Sequence, residues 1–524
     1  MSNNNIDVLA ILQAKFGDKI RIQNGVTGTA AIVANNGLHC DVLAAMIAAD
    51  EKTGIVAITG LDFGETLGVY YHVRTSKSFF TIKAEVPKAE PKIKTVTDIH
   101  PGARFHELEV TDLFGVVFEG NEFDGHFVLS ENWPDGVYPL RKDVDPSKVK
   151  LVPTPEREAN KPAEGRQVKI IIGPQHPALL EPEKFSVTVD GETVTKVEPR
   201  IGYVHRGIEK TTESRTYLQD TYLVERVCGI CNPAHAYGFV GAVEKILKPD
   251  VPERAQYLRV IALELNRLHS HLLVLGHAGL EIGYETIFQY FWRDREPIMD
   301  LIELTSGNRV YGSLITVGGV RRDITPEQVP KIKSVLDDLK SKVPFYRKIY
   351  LDEPTLRLRM KDVGVLSRED ALKLSVVGPI ARGSGVDIDV RKDLPYAAYG
   401  DIPFKEIVYP DGDVWARMNV RMDEVEESIK IIEYALDHMP SGPIQVDVAR
   451  RVPAGEAVCS LEAPRGELFY YVKSNGTDKP DRVKIRTPTF ANIPAFLKTA
   501  IGESIADVPS NFVSLDPCFS CTDR

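Results

Sequence analysis

The sequence predicts an α+β domain at the N-terminus, followed by a mainly α-helical domain with a small β portion. A chain of 524 residues exceeds the size of one compact core, which favours two or three domains. The stretch 143–166 is dominated by proline and charge and offers almost nothing to bury. We therefore place a linker at 145–166, with one domain over 1–144 and the other over 167–524.

The first domain contains a predicted β-hairpin with one buried face. Apolar residues alternate with polar ones on both sides of the polar turn 75–78, as expected of paired strands with one face on a core. The alternating apolar positions are Leu67, Val69, Tyr71 and Val73 before the turn and Phe80, Ile82, Ala84 and Val86 after it. Residues 84–94 are rich in proline and lysine, which predicts a crossing over the surface.

The second domain begins with strands and continues mainly as helices. Val187 and Val189 lead into Asp190-Gly191, a dipeptide typical of hairpin turns. Ser367 and Asp370 form a pattern typical of a capping box at the start of a helix. Apolar residues recur at spacings of three and four, which predicts amphipathic helices, over residues 253–276, 325–343 and 422–438.

Composition excludes several classes of protein. A hydrophobic content of 43% and a charged content of 26% argue against wholesale disorder. The net charge of −10 weighs against a nucleic-acid partner. No apolar run approaches the roughly 18 residues that span a bilayer, and no basic region typical of a signal peptide opens the chain. We therefore expect a cytoplasmic location, with membrane attachment only through partner subunits.

Four of the six cysteines form two CxxC pairs, Cys228/Cys231 and Cys518/Cys521. Four thiolates are a soft ligand set that suits zinc, an iron–sulfur cluster or nickel. A zinc ribbon is disfavoured because 287 positions separate Cys231 from Cys518, against roughly 15–20 between the pairs of such ribbons. A thioredoxin-like site would leave one pair unexplained, and four unrelated buried cysteines are the remaining alternative.

The motifs around these cysteines resemble those of a known enzyme family. The pattern RxCGxCxxxH over 226–235, with DPCxxC over 516–521, resembles the large subunit of nickel–iron hydrogenases. Residues 107–143 are similar to the smaller peripheral-arm core subunit of respiratory complex I. The segments GPQHPA, IGYVHRGIEK and GGVRRD are similar to the catalytic-core subunit of complex I, at residues 173–178, 201–210 and 318–323.

A fusion of these two parts that keeps all four cysteines resembles the large subunit of formate hydrogenlyase and related membrane-bound, energy-conserving hydrogenases. The resemblance implies a catalyst that interconverts H2 with protons and electrons, with proton reduction as the expected direction. A complex I-like quinone-site subunit is the alternative. It is disfavoured because that subunit lacks the four cysteines and carries a second histidine shortly after GPQHP, where this chain has Ala178 and Leu179.

The resemblance also implies the cofactor and the partners. Cys228 and Cys518 would be terminal nickel ligands, and Cys231 and Cys521 would bridge nickel to an iron that carries cyanide and carbon monoxide. Iron–sulfur clusters are expected only on partners: a small subunit with a proximal [4Fe-4S] cluster, and a further iron–sulfur subunit. Membrane subunits related to complex I are expected too, with formate dehydrogenase, CO dehydrogenase or ferredoxin as electron donor.

The family's proton-transfer residues match Cys518, whose sulfur would accept the proton, and Glu209, which would relay it. From spacing alone, Glu209 would be a surface carboxylate in a solvated ion pair with Lys210 or Arg206. The chain stops at Arg524, where many related hydrogenases have a histidine that helps to bind a magnesium-type ion. A guanidinium has no acceptor lone pair, which leaves that ion in doubt.

Three further residues match family positions around the metals. Arg465 would overhang the open side of the bimetallic site, Thr489 would bond an iron cyanide, and His235 would lie beside a bridging sulfur. The alternatives from the residues alone are a surface-turn arginine, an ordinary turn threonine and a satisfied core histidine.

Several residues that could suggest further sites are predicted to be structural. His269 and His271 are two positions apart on a helix and so face away from each other, and with His277 they are interpreted as packing or surface residues. Cys40 and Cys459 are predicted to be small buried apolar residues. The N-terminal module shows no catalytic constellation, which predicts an assembly surface.

Overall fold

The N-terminal part of the chain builds a mixed sheet covered on one side by helices. The computed structural model describes residues 8–24, 30–34, 37–153, 167–176 and 179–524. The strands of this part are β1 (Arg21–Asn24), β2 (Ala30–Val33), β3 (Gly54–Asp62), β4 (Thr66–Arg74), β5 (Phe79–Pro87), β6 (Lys92–Lys94) and β7 (Val117–Glu119). The helices are α1 (Val8–Phe16), α2 (Leu38–Ala49) and α3 (Arg104–Phe114).

The order of the main sheet is β1-β2-β5-β4-β3. The pair β2–β5 is parallel, and the other neighbouring strands are antiparallel. Strands β6 and β7 pair with each other in parallel. The prediction of an α+β domain is confirmed.

The predicted hairpin is confirmed as β4 and β5, with Val69 opposite Ala84 and Tyr71 opposite Ile82. The expectation of a single buried face is wrong, because the strands are buried on both sides. The second face is covered by a sheet from the C-terminal part of the chain. His72 on that face is fully buried against aromatic rings, and burial lowers its pKa to about 3. The histidine is therefore neutral inside the interface.

The segment 84–94 differs from the predicted surface crossing. Strand β5 continues to Pro87, and Ile93 on β6 is fully buried beside Phe118 on β7. Ile93 is the only apolar side chain of β6 and lies between two lysines. Because β6 pairs with β7, a strand distant in sequence, the Ile93 side chain faces the core. A local pattern of proline and lysine does not reveal such a partner.

The C-terminal part is mainly helical with small antiparallel sheets, as predicted. Its strands are β8 (Gln167–Ile172), β9 (Lys184–Asp190), β10 (Thr193–Arg200), β11 (Ile315–Thr316), β12 (Gly319–Val320), β13 (Gly455–Ala463), β14 (Gly466–Ser474) and β15 (Pro480–Arg486). Its helices are α4 (Ile208–Thr212), α5 (Tyr217–Glu225), α6 (Asn232–Leu247), α7 (Glu253–Glu281), α8 (Glu285–Ser306), α9 (Val329–Asp352), α10 (Pro354–Leu358), α11 (Arg368–Lys373), α12 (Pro379–Gly383), α13 (Val390–Asp393), α14 (Val414–His438), α15 (Pro488–Thr499), α16 (Val508–Ser514) and α17 (Phe519–Asp523).

The three periodic segments are confirmed as the helices α7, α9 and α14. Helix α7 ends later and α14 begins earlier than predicted, whereas α9 both begins and ends later. Helix α7 packs against α8 and α14, so its apolar stripe faces other helices. The hairpin of β9 and β10 turns at Gly191, which adopts a positive φ of 63°. Ser367 caps α11 by accepting a hydrogen bond from the Asp370 amide at 3.1 Å. Among the described residues, no helix has both the length and the apolar character needed to cross a bilayer.

The two parts of the chain share a packed boundary. Apolar residues of β3, β4 and β5 form one cluster with residues of β13 and β14, namely Val56, Ala57, Leu61, Tyr70, Phe79, Ala457, Val458, Phe469 and Tyr471. Arg74 and Glu467 form a buried ion pair across this boundary at 3.1 Å. Most of the predicted linker, residues 154–166, lies outside the described residues, so the domain boundary stays a prediction.

Candidate functional site

The four cysteines of the two CxxC motifs meet in the interior. Cys228 follows α5, Cys231 precedes α6, and Cys518 and Cys521 belong to the turn and helix of α17. The Sγ atoms of Cys228 and Cys518 lie 3.4 Å apart, and those of Cys231 and Cys521 lie 3.5 Å apart. All four residues are buried. The structure thus joins sulfur atoms from distant parts of the chain in one cluster.

Backbone geometry shapes the first CxxC motif into a ligand turn. The amides of Ile230 and Cys231 both point at the Cys228 sulfur, at 3.3 and 3.4 Å. Such N–H···S contacts stabilise a thiolate without a cation. Asn232 then begins α6 with Pro233 in the first turn, which ends the motif and starts a helix that carries His235.

The chemistry of this cluster fits a soft metal group. The cysteines form no disulfide, and each sulfur is separated from water. Hydrogen bonds from Cys231 and Cys518 lower the pKa of Cys228, whereas the bond to Cys228 raises the pKa of Cys231 and Cys518. Burial raises the pKa of Cys521. Four thiolates cannot be held here by the protein alone, and a soft multivalent cation would compensate their charge.

His235 is held beside the cluster by Tyr470. Its Nε2 lies 3.5 Å from the Cys521 sulfur, and its Nδ1 lies 2.6 Å from the Tyr470 hydroxyl. Burial lowers the pKa of His235 to about 4, so the ring is neutral. When Cys521 is a thiolate, Nε2 must carry the ring proton and donate a hydrogen bond to the sulfur. The tyrosine hydroxyl then donates a hydrogen bond to Nδ1.

Arg465 is buried and is not a surface-turn residue. Its Nε donates to the Asp516 carbonyl at 2.7 Å, and its Nη2 lies 2.8 Å from the Asp516 carboxylate. Although burial opposes the charge, Asp516 and the nearby Cys518 hold the pKa of Arg465 well above its ordinary value. Within the described part of the chain, Nη1 has no hydrogen-bond acceptor. A buried donor of this kind fits an anionic ligand that the protein does not supply.

Thr489 lies on the other side of the second motif, in the first turn of α15. Its Oγ1 accepts a hydrogen bond from the Cys518 amide at 3.1 Å. A hydroxyl that accepts one bond still has a proton to donate. The structure therefore places this threonine against a cysteine motif and not in an exposed turn.

Glu209 is buried in the first turn of α4 and is not a solvated surface carboxylate. Its Oε1 accepts from the Ile485 amide at 3.0 Å, and Oε2 lies 2.8 Å from Nη1 of Arg482. Burial opposes its charge, but Lys484 and Arg482 hold the pKa of Glu209 below its ordinary value. The sequence neighbour Lys210 pairs instead with Glu213, at 3.3 Å.

Sequence reasoning missed the partners that hold these groups. Tyr470, Asp516, Arg482 and Lys484 carry no motif of their own, and only the folded chain brings them to the site. The pairing of β14 with β15 is the signal that could have pointed to Tyr470. In that register Tyr470 lies opposite Ile485, whose amide donates a hydrogen bond to Glu209.

Arg524 lies between two carboxylates. Its Nε is 3.1 Å from Glu209 Oε1, and its Nη2 binds Glu109 of the N-terminal domain. A guanidinium thus provides positive charge where the family histidine would help to bind a cation. The N-terminal module also contributes a buried carboxylate here, which the prediction of an assembly surface alone did not include.

The three helical histidines are packing residues, as predicted. His271 Nε2 is paired with Glu424 at 2.8 Å, and His269 Nδ1 accepts from Arg295 Nε at 2.8 Å. His277 is buried near the end of α7. Cys40 and Cys459 are buried, which confirms their prediction as small buried residues.

Three protein families match parts of the chain. Residues 23–150 match the family described as respiratory-chain NADH dehydrogenase, 30 Kd subunit. Residues 281–452 and 448–524 match the corresponding 49 Kd subunit. Residues 206–278, which include the first CxxC motif, match the nickel-dependent hydrogenase family.

Curated relatives match most of the chain. The membrane-bound hydrogenase subunit alpha of Pyrococcus furiosus is 42% identical over 68% of this chain and 87% of its own length. Formate hydrogenlyase subunit 5 of Escherichia coli is 36% identical over 87% of this chain and 82% of its own. The C/D subunit of the NADH-quinone oxidoreductase of Bacteroides fragilis is also 36% identical, over 89% of this chain and 94% of its own.

A solved structure has the same fold over much of the chain. It belongs to the membrane-bound sulfane sulfur reductase, described as an archaeal respiratory membrane complex. The TM-score is 0.67 and the identity 34%, and the match covers 70% of this chain and 100% of that one. The similar proteins are thus subunits of hydrogenases and of respiratory complexes with other activities.

Proposed function

This chain belongs to the family that fuses a complex I 30 kDa-type module to a 49 kDa-type domain with homology to hydrogenase large subunits, and from this premise we propose that it is the catalytic subunit of a nickel–iron hydrogenase. The reaction interconverts H2 with protons and electrons, with H2 production as the expected direction. The observation that carries the proposal is the meeting of four buried thiols from the two CxxC motifs.

The four cysteines would hold the metal group. By the resemblance, Cys228 and Cys518 would bind nickel, and Cys231 and Cys521 would contribute to binding both nickel and iron. When bound, the group supplies low-valent metals that cleave or form H2 heterolytically. The protein holds the sulfur atoms in place and excludes water from them, since all four side chains are buried.

Three neighbouring residues would position ligands and tune the sulfur atoms. The Nη1 of Arg465 is a buried donor without an acceptor among the described residues, which suits a cyanide on iron. Thr489 can donate its hydroxyl proton toward a second such ligand while it accepts from the Cys518 amide. His235 would donate a hydrogen bond to the Cys521 sulfur and so stabilise its thiolate.

Proton transfer would start at the Cys518 sulfur and continue through Glu209. Cys518 is one of the buried sulfurs that would hold the metal group, so it would be available there as a base. Glu209 is also buried, and its charge is balanced by Arg482, Lys484 and Arg524, so its proton affinity depends on that balance. A carboxyl whose pKa is set by its neighbours suits a relay.

A complex I-like quinone-site subunit is the second candidate, because the Bacteroides fragilis protein matches this chain over most of its length. The cysteine cluster disfavours this candidate, because quinone binding does not require four converging thiols.

The relatives' names favour a place within a membrane-associated assembly. We propose a small subunit with a proximal [4Fe-4S] cluster as the electron partner, a further iron–sulfur subunit and complex I-related membrane subunits. The chain would then lie at the cytoplasmic face of the membrane. Formate dehydrogenase, CO dehydrogenase or ferredoxin would deliver the electrons.

Metal analysis of the purified chain tests the proposal. We expect nickel together with iron, and H2 production from a reduced artificial dye. Zinc alone would contradict the assignment and favour a structural site, whereas quinone binding without nickel would favour the complex I-like alternative. Chelation of the metals from a mature sample should abolish the dye-linked activity.

Replacing Tyr470 with phenylalanine should weaken the site without removing a ligand. Tyr470→Phe deletes the hydroxyl that binds His235 Nδ1, so the proton no longer stays on Nε2 beside Cys521. We expect a loss of roughly tenfold or more in activity or metal affinity, measured as dye-linked turnover per bound nickel.

The control for this change is Tyr471→Phe. Tyr471 is equally buried on the opposite face of β14, and its hydroxyl binds Glu456 at 2.7 Å, away from the cysteines. Equal effects of the two substitutions would assign the loss to the stability of β14 and not to His235.

A further inference from the structure

The N-terminal domain reaches the surroundings of Glu209 through one buried side chain. Glu109 lies on α3 and is 2% exposed. Its Oε2 is 2.5 Å from the ammonium of Lys484, and its Oε1 binds Nη2 of Arg524. No sequence motif singles out this residue, and its domain contributes none of the predicted site residues.

Glu109 and Glu209 share the same cations. Lys484 lies 3.6 Å from Glu209 Oε1, and Arg524 Nε lies 3.1 Å from the same atom. Arg482 completes the set through Glu209 Oε2 at 2.8 Å. Two buried carboxylates therefore face three buried cations. In this low-dielectric setting, each of these charges strongly affects the proton affinity of the others.

A cavity between the two domains leads to this cluster. It has a volume of about 440 Å³ and is lined by both Glu109 and Glu209. The N-terminal wall includes Leu129, Ser130 and Trp133, and the facing wall includes residues of α4 and of the segment that precedes it. The lining combines apolar side chains with the carboxylates, and the volume is large enough for several waters. Ser130 and Arg206 are exposed, so the cavity opens to solvent at its edge.

Burial moves the pKa of one cation in this cluster toward neutral pH. Burial lowers the pKa of Lys484 to about 8, although Glu209 opposes the shift. His205, Lys210 and Asp523 line the same cavity as the two carboxylates. The cavity thus extends from the two buried carboxyls to an edge with exposed residues.

We propose that protons reach Glu209 through this interdomain cavity, and that Glu109 is the positioning residue that sets the charge balance around Glu209. The inference rests on the proposed hydrogenase function and extends it to the N-terminal domain. That domain is then one wall of a proton inlet as well as a surface for assembly. Glu109 acts only through Lys484 and Arg524, with which it shares ion pairs.

Glu109→Gln tests the positioning role, because it keeps the shape of the side chain and removes its charge. Glu209 then faces three cations alone, and its ionised form is stabilised further. At the acidic pH where Glu209 titrates, Lys484 and both arginines are protonated, so the midpoint must move to lower pH. We expect a shift of about one pH unit or more.

The shift is read by infrared spectroscopy on the full-length, metal-free chain. The protonated-carboxyl band of Glu209 is identified by its absence in Glu209→Gln and followed against pH. The pH profile of dye-linked H2 production in the loaded enzyme should move in the same direction. An unchanged infrared midpoint in Glu109→Gln would overturn the positioning role.

Glu107→Gln is the matched control. Glu107 lies on the same helix and is fully buried, and its carboxyl binds Thr95 at 2.5 Å and Asn121 at 2.9 Å. Burial raises the pKa of Glu107 to about 7, so it is neutral where Glu209 titrates, and this variant controls for a buried Glu-to-Gln change on α3 that leaves the charge unaltered. It should leave the Glu209 midpoint unchanged. Because the midpoint is read without metal, absence of nickel in the wild-type chain would count against the hydrogenase assignment alone.

Ser130→Trp tests the inlet, since a large side chain at the exposed edge would fill the cavity mouth. We expect slower H2 production with wild-type nickel content and an unchanged Glu209 midpoint. Ser341→Trp is the control, because Ser341 is exposed on α9 and does not line the cavity. Equal rates in Ser130→Trp and the wild type would overturn the inlet.

Discussion

Cys518→Ala should reduce both bound nickel and dye-linked H2 activity to background. The change removes one of four converging sulfur atoms, and the Sγ of Cys228 would lose the neighbour now 3.4 Å away. Thiolates are the only soft ligands at this position, and neither alanine nor the adjacent Thr489 hydroxyl supplies another. The measurement is nickel per chain by elemental analysis, alongside turnover with a reduced dye.

Cys459→Ala is the matched control for this variant. Cys459 is also buried and forms no disulfide, but it lies on β13 and is not a member of the groups of potential metal ligands that include the cluster cysteines. It should keep wild-type nickel and activity. Full nickel and activity in Cys518→Ala would contradict the assignment of the cluster, and equal loss in both variants would point to misfolding instead.

Glu209→Gln should retain nickel but lower H2 production by roughly 10²- to 10⁴-fold, the range typical of a lost acid–base group. The amide cannot carry a proton between the cluster and the interdomain cavity. The change also leaves Lys484 and Arg524 with Glu109 as their remaining carboxylate partner in this cluster, and it removes the carboxylate that pairs with Arg482. Thermal unfolding should therefore be recorded with the activity, since unpaired buried cations destabilise the fold.

Two further variants separate proton transfer from stability. Glu209→Asp restores the charge at a shorter reach and should recover part of the rate. Glu213→Gln removes a carboxylate four positions later that pairs with Lys142 and Lys210, at 3.1 and 3.3 Å, outside the Glu209 cluster. A wild-type rate in Glu209→Gln would exclude the relay.

The sequence predicted secondary structure correctly where the local spacing of apolar residues determines it. Helices α7, α9 and α14 followed from the spacing of their apolar residues, because a packed helix must bury one stripe. The hairpin of β4 and β5 followed from alternation in the same way. Its second buried face did not, because the sheet that covers it comes from residues several hundred positions later.

The site shows the same division. The two CxxC motifs identified the four cysteines as candidate ligands. The family resemblance identified His235, Arg465, Thr489 and Glu209 as further site residues. The partners of these residues were not predictable, because Tyr470, Asp516 and Lys484 are common residue types in unremarkable contexts. Their roles depend on strand register and on the approach of two domains.

The sequence by itself determined the secondary-structure pattern, the soft donor set and the family, because each is written in local spacing and residue type. Tertiary structure alone decided that Glu209 is buried among cations and that Glu109 of the other domain shares them. The physical reason is that the energy of a buried charge depends on every charge around it, and those neighbours come from distant parts of the chain.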